Sequence, residues 1–165
     1  MSDQPNSETT NENPTDPESW AELGCVEADE PPLLGYLQLC ADRRFHKCIQ
    51  DRFQFEAALS SRESYWIHAD AGGTPKMENQ RIAPDYCYHQ KGVRSMGWAA
   101  HGNGCGGFPP GTPDPTIRQQ LTEVAQRKAA EYPEANHYVY FATLLSKGDK
   151  EEAVVYCMKY EKGTD

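Results

Sequence analysis

Short apolar runs alternate along this chain with stretches in which apolar residues recur about every four positions. The run over residues 33–39 follows two prolines and predicts a buried strand that ends at Cys40. Between residues 45 and 57, apolar side chains recur at every fourth position, which predicts one face of an amphipathic helix. Strands that alternate with helices favour an α/β fold, in which helices flank a mostly parallel central sheet.

The middle of the chain continues this alternation. Residues 64–69 and 92–100 predict two further strands, and the second of them leads into a glycine-rich turn over residues 101–113. The segment over residues 74–91 is polar and irregular, with a short helix near residues 84–90.

The last third of the chain predicts a long helix and a closing strand. Asp114 and Pro115 suit the start of a helix, and apolar residues at helical spacing predict that it continues to near Pro133. Residues 137–145 suit either a strand or a helix, and we favour a helix. Residues 151–161 predict the closing strand.

The net charge of −9 is concentrated near the N-terminus. Residues 1–30 carry nine acidic side chains and no Lys or Arg, whereas the remainder carries 16 acids and 16 bases. Residues 1–19 contain no apolar side chain after Met1, so we predict a disordered acidic tail followed by a single α/β domain over residues 20–165. Because the remainder is balanced in charge, we expect no nucleic-acid partner.

The cysteine content fits an intracellular protein. The sequence shows neither a signal-peptide pattern nor the stretch of about 20 apolar residues that a membrane span needs. We therefore expect a cytoplasmic protein without a membrane partner. The cytosol keeps thiols reduced, so the six cysteines are more consistent with buried thiols or metal ligands than with a disulfide framework.

Side chains that bind metals follow two of the predicted strands. Cys40 ends the first strand, with Asp42 and Arg44 two and four positions further along, and His101 follows the third strand, with Cys105 four positions further along. In parallel sheets, reactive groups gather at the carboxyl ends of the strands where strand order reverses. If the two strands are neighbours, two thiolates and one imidazole supply three ligands of a tetrahedral zinc site, whose fourth position is left for water or substrate.

The same residues resemble two motifs of the β-class carbonic anhydrases. Residues 40–44, CADRR, have the Cys-x-Asp-x-Arg pattern of that family, and residues 101–107, HGNGCGG, resemble its second motif of His, Cys and Gly. The separation of the two motifs and the segment HADAGG between them, residues 68–73, are also similar to the family. The resemblance covers about residues 33–160 and is specific at the two motifs.

This resemblance implies a β-carbonic-anhydrase-like fold and a lyase that interconverts CO2 and bicarbonate through a zinc-bound hydroxide. It implies Cys40, His101 and Cys105 as the ligands of Zn²⁺, which makes the predicted domain a zinc-binding one. It also implies that Asp42 orients the hydroxide and that Arg44 holds the Asp42 carboxylate in place. Because this fold commonly builds its site beside a subunit interface, we expect a homodimer or a higher homo-oligomer.

Alternatives to this interpretation stay open. Three residues separate His101 from Cys105, where the family usually has two, so the chain could be a non-catalytic member of the fold that binds a protein partner. Arg43, where the family usually has Ser, could adapt the same zinc site to hydrolyse carbonyl sulfide or carbon disulfide. Taken singly, Cys40 is more often a buried apolar residue than a ligand. The glycine-rich turn lacks the spacing of a dinucleotide site or a P-loop.

His46 and Cys48 suggest a second metal site with Cys40, whereas Cys25, Cys87 and Cys157 have no partner at metal-ligand spacing. His46 and Cys48 are predicted to lie along the first helix as packing or surface residues. The sequence does not favour any one of His68, His89 and His137 as a proton shuttle.

Overall fold

The computed structural model of this protein describes residues 27–160. The chain divides into two units, Met1–Glu30 and Pro31–Asp165. All the helices and strands of the described residues belong to the second unit, and residues 27–30 of the first form neither. The predicted disordered tail over residues 1–19, and with it the predicted domain boundary, lies outside the described residues.

Strands and helices alternate in the described part of the chain, as predicted. In chain order they are β1 (Gly35–Cys40), α1 (His46–Glu56), β2 (Tyr65–Asp70), α2 (Ile82–Asp85), β3 (Ser95–His101), α3 (Asp114–Glu131), β4 (Asn136–Lys147) and β5 (Lys150–Tyr160). A π-helical turn, Tyr86–Gln90, continues α2, so the short helix near residues 84–90 is confirmed. None of the helices in the described residues combines the length and the apolar character needed to cross a membrane.

The five strands form one sheet in the order β2-β1-β3-β4-β5. β1 lies parallel to both β2 and β3, β3 lies parallel to β4, and β5 pairs antiparallel to β4 at one edge. The chain first moves outward from β1 to β2 and then crosses back to place β3 on the other side of β1. Strand order therefore reverses between β1 and β3, and the prediction of a mostly parallel sheet in an α/β fold is confirmed.

The central strands of the sheet are buried on both faces, because helices cover them from two sides. All six residues of β1 are buried, as expected for a central parallel strand. The core between the sheet and α1 consists of Leu37, Leu39, Phe45, Ile49, Phe53, Leu59, Tyr65, Ala99, Tyr138, Tyr140 and Ala142. On the face under α3, the larger core cluster includes Tyr36, Cys40, Met96, Trp98, Ala100, Ile117, Leu121, Ala125, Val139 and Phe141. Successive residues of one strand thus enter opposite cores.

The predicted helix over residues 137–145 is wrong, because these residues lie within β4. Their side chains alternate between the two cores: Tyr138 and Tyr140 face α1, whereas Val139 and Phe141 face α3. A strand that is buried on both faces is apolar at consecutive positions, so its sequence shows no two-residue period. Its aromatic and β-branched residues are the types that suit a strand.

Candidate metal centre

The carboxyl ends of β1 and β3 bring three predicted ligands together. Cys40 is the last residue of β1, His101 is the last residue of β3, and Cys105 lies in the turn that follows. Cys40 projects into the core under α3, whereas His101 packs on Phe45 at the α1 side. The three residues are 6%, 0% and 4% exposed, so bulk water does not surround their donor atoms.

The distances within this group suit a tetrahedral metal ion. The sulfur atoms of Cys40 and Cys105 lie 3.7 Å apart, and all three ligand atoms lie within 4.8 Å of one another. Two sulfurs bound to one tetrahedral zinc ion, each at about 2.3 Å, are about 3.8 Å apart. The sulfur separation is also far longer than the bond of about 2.05 Å in a disulfide. The group could therefore hold a metal ion.

The backbone fixes which nitrogen of His101 faces the two sulfurs. Nδ1 lies 2.6 Å from the carbonyl oxygen of Gly102, which can only accept, so Nδ1 carries the proton and donates it. Nε2 is buried and has no hydrogen-bond partner among the described residues. The ring stacks on Phe45 with centroids 4.3 Å apart and planes 18° apart. A buried acceptor without a donor is costly, and a metal ion would satisfy it.

The two thiols have different proton affinities. Burial alone would raise the pKa of Cys40, but interactions with the His101 ring and with the backbone N–H groups of Asp42 and Gly72 lower the pKa to about 7. Burial raises the pKa of Cys105, and the neighbouring Cys40 raises it further. The backbone N–H of Gly107 partly opposes this rise. One sulfur is thus poised as a thiolate near neutral pH, which is the form that binds metals.

The Asp42 carboxylate lies beside this group and is held by Arg44. Arg44 Nε donates to both carboxylate oxygens, at 3.1 and 3.2 Å, and its terminal nitrogen donates to Oδ2 at 2.6 Å. Asp42 Oδ2 lies 3.7 Å from His101 Nε2. The hydrogen bonds and the charge of Arg44 hold the pKa of Asp42 below its ordinary value against partial burial. The carboxylate therefore stays ionised at neutral pH.

The donor set is compatible with zinc. Two cysteine sulfurs and one imidazole nitrogen are ligands that zinc binds in proteins, and three protein ligands leave the fourth tetrahedral position open. Asp42 is the nearby side chain that could reach that position or act on what occupies it. Among the described residues, this is the one group of three or more His, Cys, Asp or Glu side chains close enough to share an ion.

Comparison with known proteins adds no relative. Protein-family models give no match to this chain, and curated proteins give no significant match. The resemblance to the β-class carbonic anhydrases therefore rests on the residues of the two motifs, and the family stays a prediction.

The side chains of His46, Cys48 and Arg43 are not part of the metal-binding group. The His46 ring donates through Nε2 to the carbonyl oxygen of Cys40 at 2.8 Å, and the Cys48 thiol bonds to the carbonyl oxygen of Phe45. Arg43 is exposed and lines a surface groove with Lys47 on the outer side of α1.

The three histidines considered as proton shuttles, His68, His89 and His137, have different surroundings. His137 is buried, and both of its ring nitrogens are hydrogen-bonded, to the Trp98 indole and to the Tyr132 carbonyl. His68 is partly buried and bonds to the Tyr36 hydroxyl, whereas His89 is exposed. His137 thus has no free nitrogen for proton transfer.

Two glycine-rich turns form the walls of the metal-binding group. The turn after β2 brings Gly72 against Gly107, so closely that a Cβ added to Gly107 would lie 2.3 Å from the Gly72 backbone. Backbone N–H groups of both glycines also act on the sulfurs of Cys40 and Cys105. The sequence predicts no contact between these two turns, because a contact between two backbones leaves no pattern of side chains.

Proposed function

We propose that this protein is a zinc-dependent, carbonic-anhydrase-like lyase that interconverts CO2 and bicarbonate. The observation that carries this proposal is the buried Cys40, His101 and Cys105 group at the point where strand order reverses, with an ionised carboxylate beside it. In open α/β sheets this point is where ligands bind. The reaction joins CO2 and water and yields bicarbonate and a proton, so it needs a nucleophilic oxygen and a group that directs its proton.

The two sulfurs and His101 Nε2 hold the ion in this proposal. Zinc, when bound, acts as a Lewis acid and makes hydroxide available at neutral pH. The Gly102 carbonyl keeps Nε2 free of a proton by accepting the Nδ1–H of His101. Burial of the three ligands excludes competing water and strengthens the electrostatic interactions of the ligands with the ion.

Asp42 and Arg44 act as a pair in this proposal. Asp42 Oδ2 accepts from Arg44 and lies 3.7 Å from His101 Nε2, so it is the carboxylate oxygen next to the metal-binding group. Its role is to accept a hydrogen bond from the attacking hydroxyl group. This bond directs a lone pair of the hydroxyl oxygen toward CO2. The planar guanidinium of Arg44 prevents the carboxylate from rotating, because it binds both oxygens at once.

The near-complete burial of the three ligands favours a second candidate function. With Asp42 as a fourth ligand, the group would be a closed structural zinc site, and the protein would be a non-catalytic member of this fold. In the structure, Arg44 binds both carboxylate oxygens of Asp42, which favours the first candidate.

Stopped-flow measurement of CO2 hydration tests the proposed function. Purified protein would be assayed as prepared, after removal of zinc with a chelator, and after zinc is returned, and the same samples would be tested with carbonyl sulfide and carbon disulfide. We expect hydration that is lost with the metal and restored by it. Zinc without hydration would favour the closed site, and hydrolysis of the sulfur compounds alone would move the proposal to those substrates.

A further inference from the structure

The turn between His101 and Cys105 has an unusual backbone. It consists of Gly102, Asn103 and Gly104, and the last two have φ angles of 56° and 78°. A positive φ is uncommon for any residue other than glycine, and Asn is among the few that tolerate it. Such a turn with two glycines has many accessible conformations, so contacts outside it must select the observed one.

The Asn103 side chain ties this turn to β4. Its Oδ1 accepts from the Leu144 backbone N–H at 2.7 Å and from the Thr143 hydroxyl at 2.6 Å. These bonds lie just beyond the last register pair of β3 and β4, His101 with Ala142. They therefore extend the attachment of the turn to β4 past the point where the ladder ends.

The backbone of the turn is also tied to the first residue of α3. Asn103 N–H donates to Asp114 Oδ1 at 3.0 Å, and Gly102 N–H donates to the Ala142 carbonyl at 2.9 Å. A Cβ added to Gly102 would lie 2.0 Å from Asp114 Oδ2, so a side chain there would displace the Asp114 carboxylate. The turn is thus fixed from the strand side and from the helix side.

The conformation of the turn decides two features of the metal-binding group. It points the Gly102 carbonyl at His101 Nδ1, 2.6 Å away, which leaves Nε2 facing the sulfurs. It also sets the position of Cys105, whose sulfur lies 3.7 Å from that of Cys40. The orientation of His101 and the position of Cys105 therefore depend on the conformation of the turn, which the side-chain contacts of Asn103 help to hold.

We propose that Asn103 is a positioning residue for the metal centre, which holds His101 and Cys105 in the arrangement that binds zinc. The inference rests on the metal site of the proposed function and does not depend on the substrate. Partners that orient metal ligands typically contribute 10- to 100-fold to metal affinity. We therefore expect Asn103→Gly, which keeps the backbone angle but removes the acceptor, to weaken zinc binding by about 10- to 100-fold.

Two variants accompany this one. Asn103→Asp retains an acceptor oxygen and tolerates the left-handed backbone, so it should restore most of the affinity lost in Asn103→Gly. Thr112→Val removes a hydroxyl that donates to the Pro109 carbonyl at 2.6 Å in the same connection between β3 and α3, without touching Asn103. This control should bind zinc as tightly as the wild type.

The experiment measures zinc affinity by competition with a chromophoric chelator, and the absorption of the cobalt-substituted protein. The intensity of the thiolate-to-cobalt band reports whether both sulfurs remain bound, and unfolding of the zinc-free protein in urea reports stability separately. We expect weaker zinc binding and a weaker thiolate band in Asn103→Gly, with recovery in Asn103→Asp. Wild-type affinity and an unchanged band in Asn103→Gly, or equal losses in Thr112→Val, would overturn the inference and leave the proposed function standing. Absence of zinc binding in the wild type would overturn both.

Discussion

The His101 ring stacks on Phe45, and its ligand nitrogen lies within 4.8 Å of the sulfurs of Cys40 and Cys105. Its tautomer is set by a backbone carbonyl, so no second ionisable side chain is needed to expose Nε2. The adjacent carboxylate of Asp42 is instead bound by Arg44. One set of side chains is thus proposed to hold the ion, and a different pair, Asp42 and Arg44, is proposed to act on the substrate.

Replacing Asp42 tests this division. Asp42→Asn keeps the shape of the side chain but removes the charge that orients the attacking hydroxyl, so kcat/KM for CO2 hydration should fall by about 100-fold or more. Zinc content should remain at the wild-type level, because Asp42 is not a ligand in the proposed function. Stopped-flow assays and elemental analysis on the same samples check both expectations.

The matched control for that prediction is Asp51→Asn. Asp51 is an exposed carboxylate that pairs with Lys47 on the outer face of α1, and its loss should leave hydration unchanged. Full activity in Asp42→Asn would contradict the proposed role of Asp42. Loss of zinc in that variant would instead identify Asp42 as the fourth ligand of a closed site.

Among individual residues, the sequence could predict the candidate ligands but not the contacts that orient them. Cys40 and His101 end strands, and Cys105 follows within a short turn, so the α/β pattern places all three at the carboxyl edge of the sheet. Asn103 is not among the predicted site residues, although Asn between two glycines is itself a signal of a left-handed backbone. Its partner Thr143 could not be identified, because that contact depends on the register of β3 and β4.

The glycine-rich turns after β2 and β3 shape the metal-binding group together with strands β1 and β3. Gly107 and Gly72 touch through their backbones, which places both turns over the sulfurs. The neighbouring Gly106 has open space where a Cβ would stand. Two adjacent glycines thus differ in whether the structure can accept a side chain.

This difference predicts opposite outcomes for two alanine substitutions. Gly107→Ala should push the turns apart, lower the free energy of unfolding by about 1–3 kcal/mol and weaken zinc binding. Gly106→Ala should change stability by less than about 0.5 kcal/mol and leave zinc binding intact. Urea unfolding and chelator competition measure the two effects. Tight zinc binding in Gly107→Ala would show that the contact between the turns does not shape the site.

The sequence pattern of β4 does not identify it as a strand. Its first half is buried on both faces, so its apolar residues are consecutive and carry neither a helical nor a two-residue period. Only its neighbours, β3 on one side and β5 on the other, define it as a strand. The edge strand β5 and the long helix α3 were predicted correctly, because turn residues precede β5 and the pair Asp114 and Pro115 begins α3. The Asp114 carboxylate bonds to Asn103 and Thr143 and does not cap the helix.

The order β2-β1-β3-β4-β5 accounts for the position of the candidate site, since β1 and β3 are neighbours at the reversal of strand order. The sequence predicted parallel strands with flanking helices, but adjacency of β1 and β3 was a condition that only the structure could supply. The substrate, the homo-oligomeric state and the cytoplasmic location stay predictions.

The buried His137 predicts how the stability of the protein depends on pH. Burial lowers the pKa of His137, although a hydrogen bond to the Tyr132 carbonyl partly opposes this, and the Trp98 indole donates to the other ring nitrogen at 2.9 Å. The unfolded chain therefore takes up a proton at a higher pH than the folded one. The contribution of His137 to stability is complete above its unfolded pKa of about 6.5 and is lost as the pH falls toward its folded pKa.

Urea unfolding between pH 8 and pH 5 checks this expectation with wild type and His137→Asn. The wild type should lose stability more steeply below about pH 6.5, by up to about 1.4 kcal/mol per pH unit more than the variant. Above that pH the two curves should run parallel. Identical slopes below pH 6.5 would contradict the assignment of this acid sensitivity to His137.

The most direct test of the metal centre is elemental analysis of the purified protein beside Cys105→Ser and Cys157→Ser. Cys157 is an exposed thiol on β5, outside the metal-binding group, and serves as the matched control. We predict about one zinc ion per chain in the wild type and in Cys157→Ser, and its loss in Cys105→Ser. Wild-type protein without zinc, or zinc retained in Cys105→Ser, would contradict the assignment of Cys40, His101 and Cys105 as the metal centre.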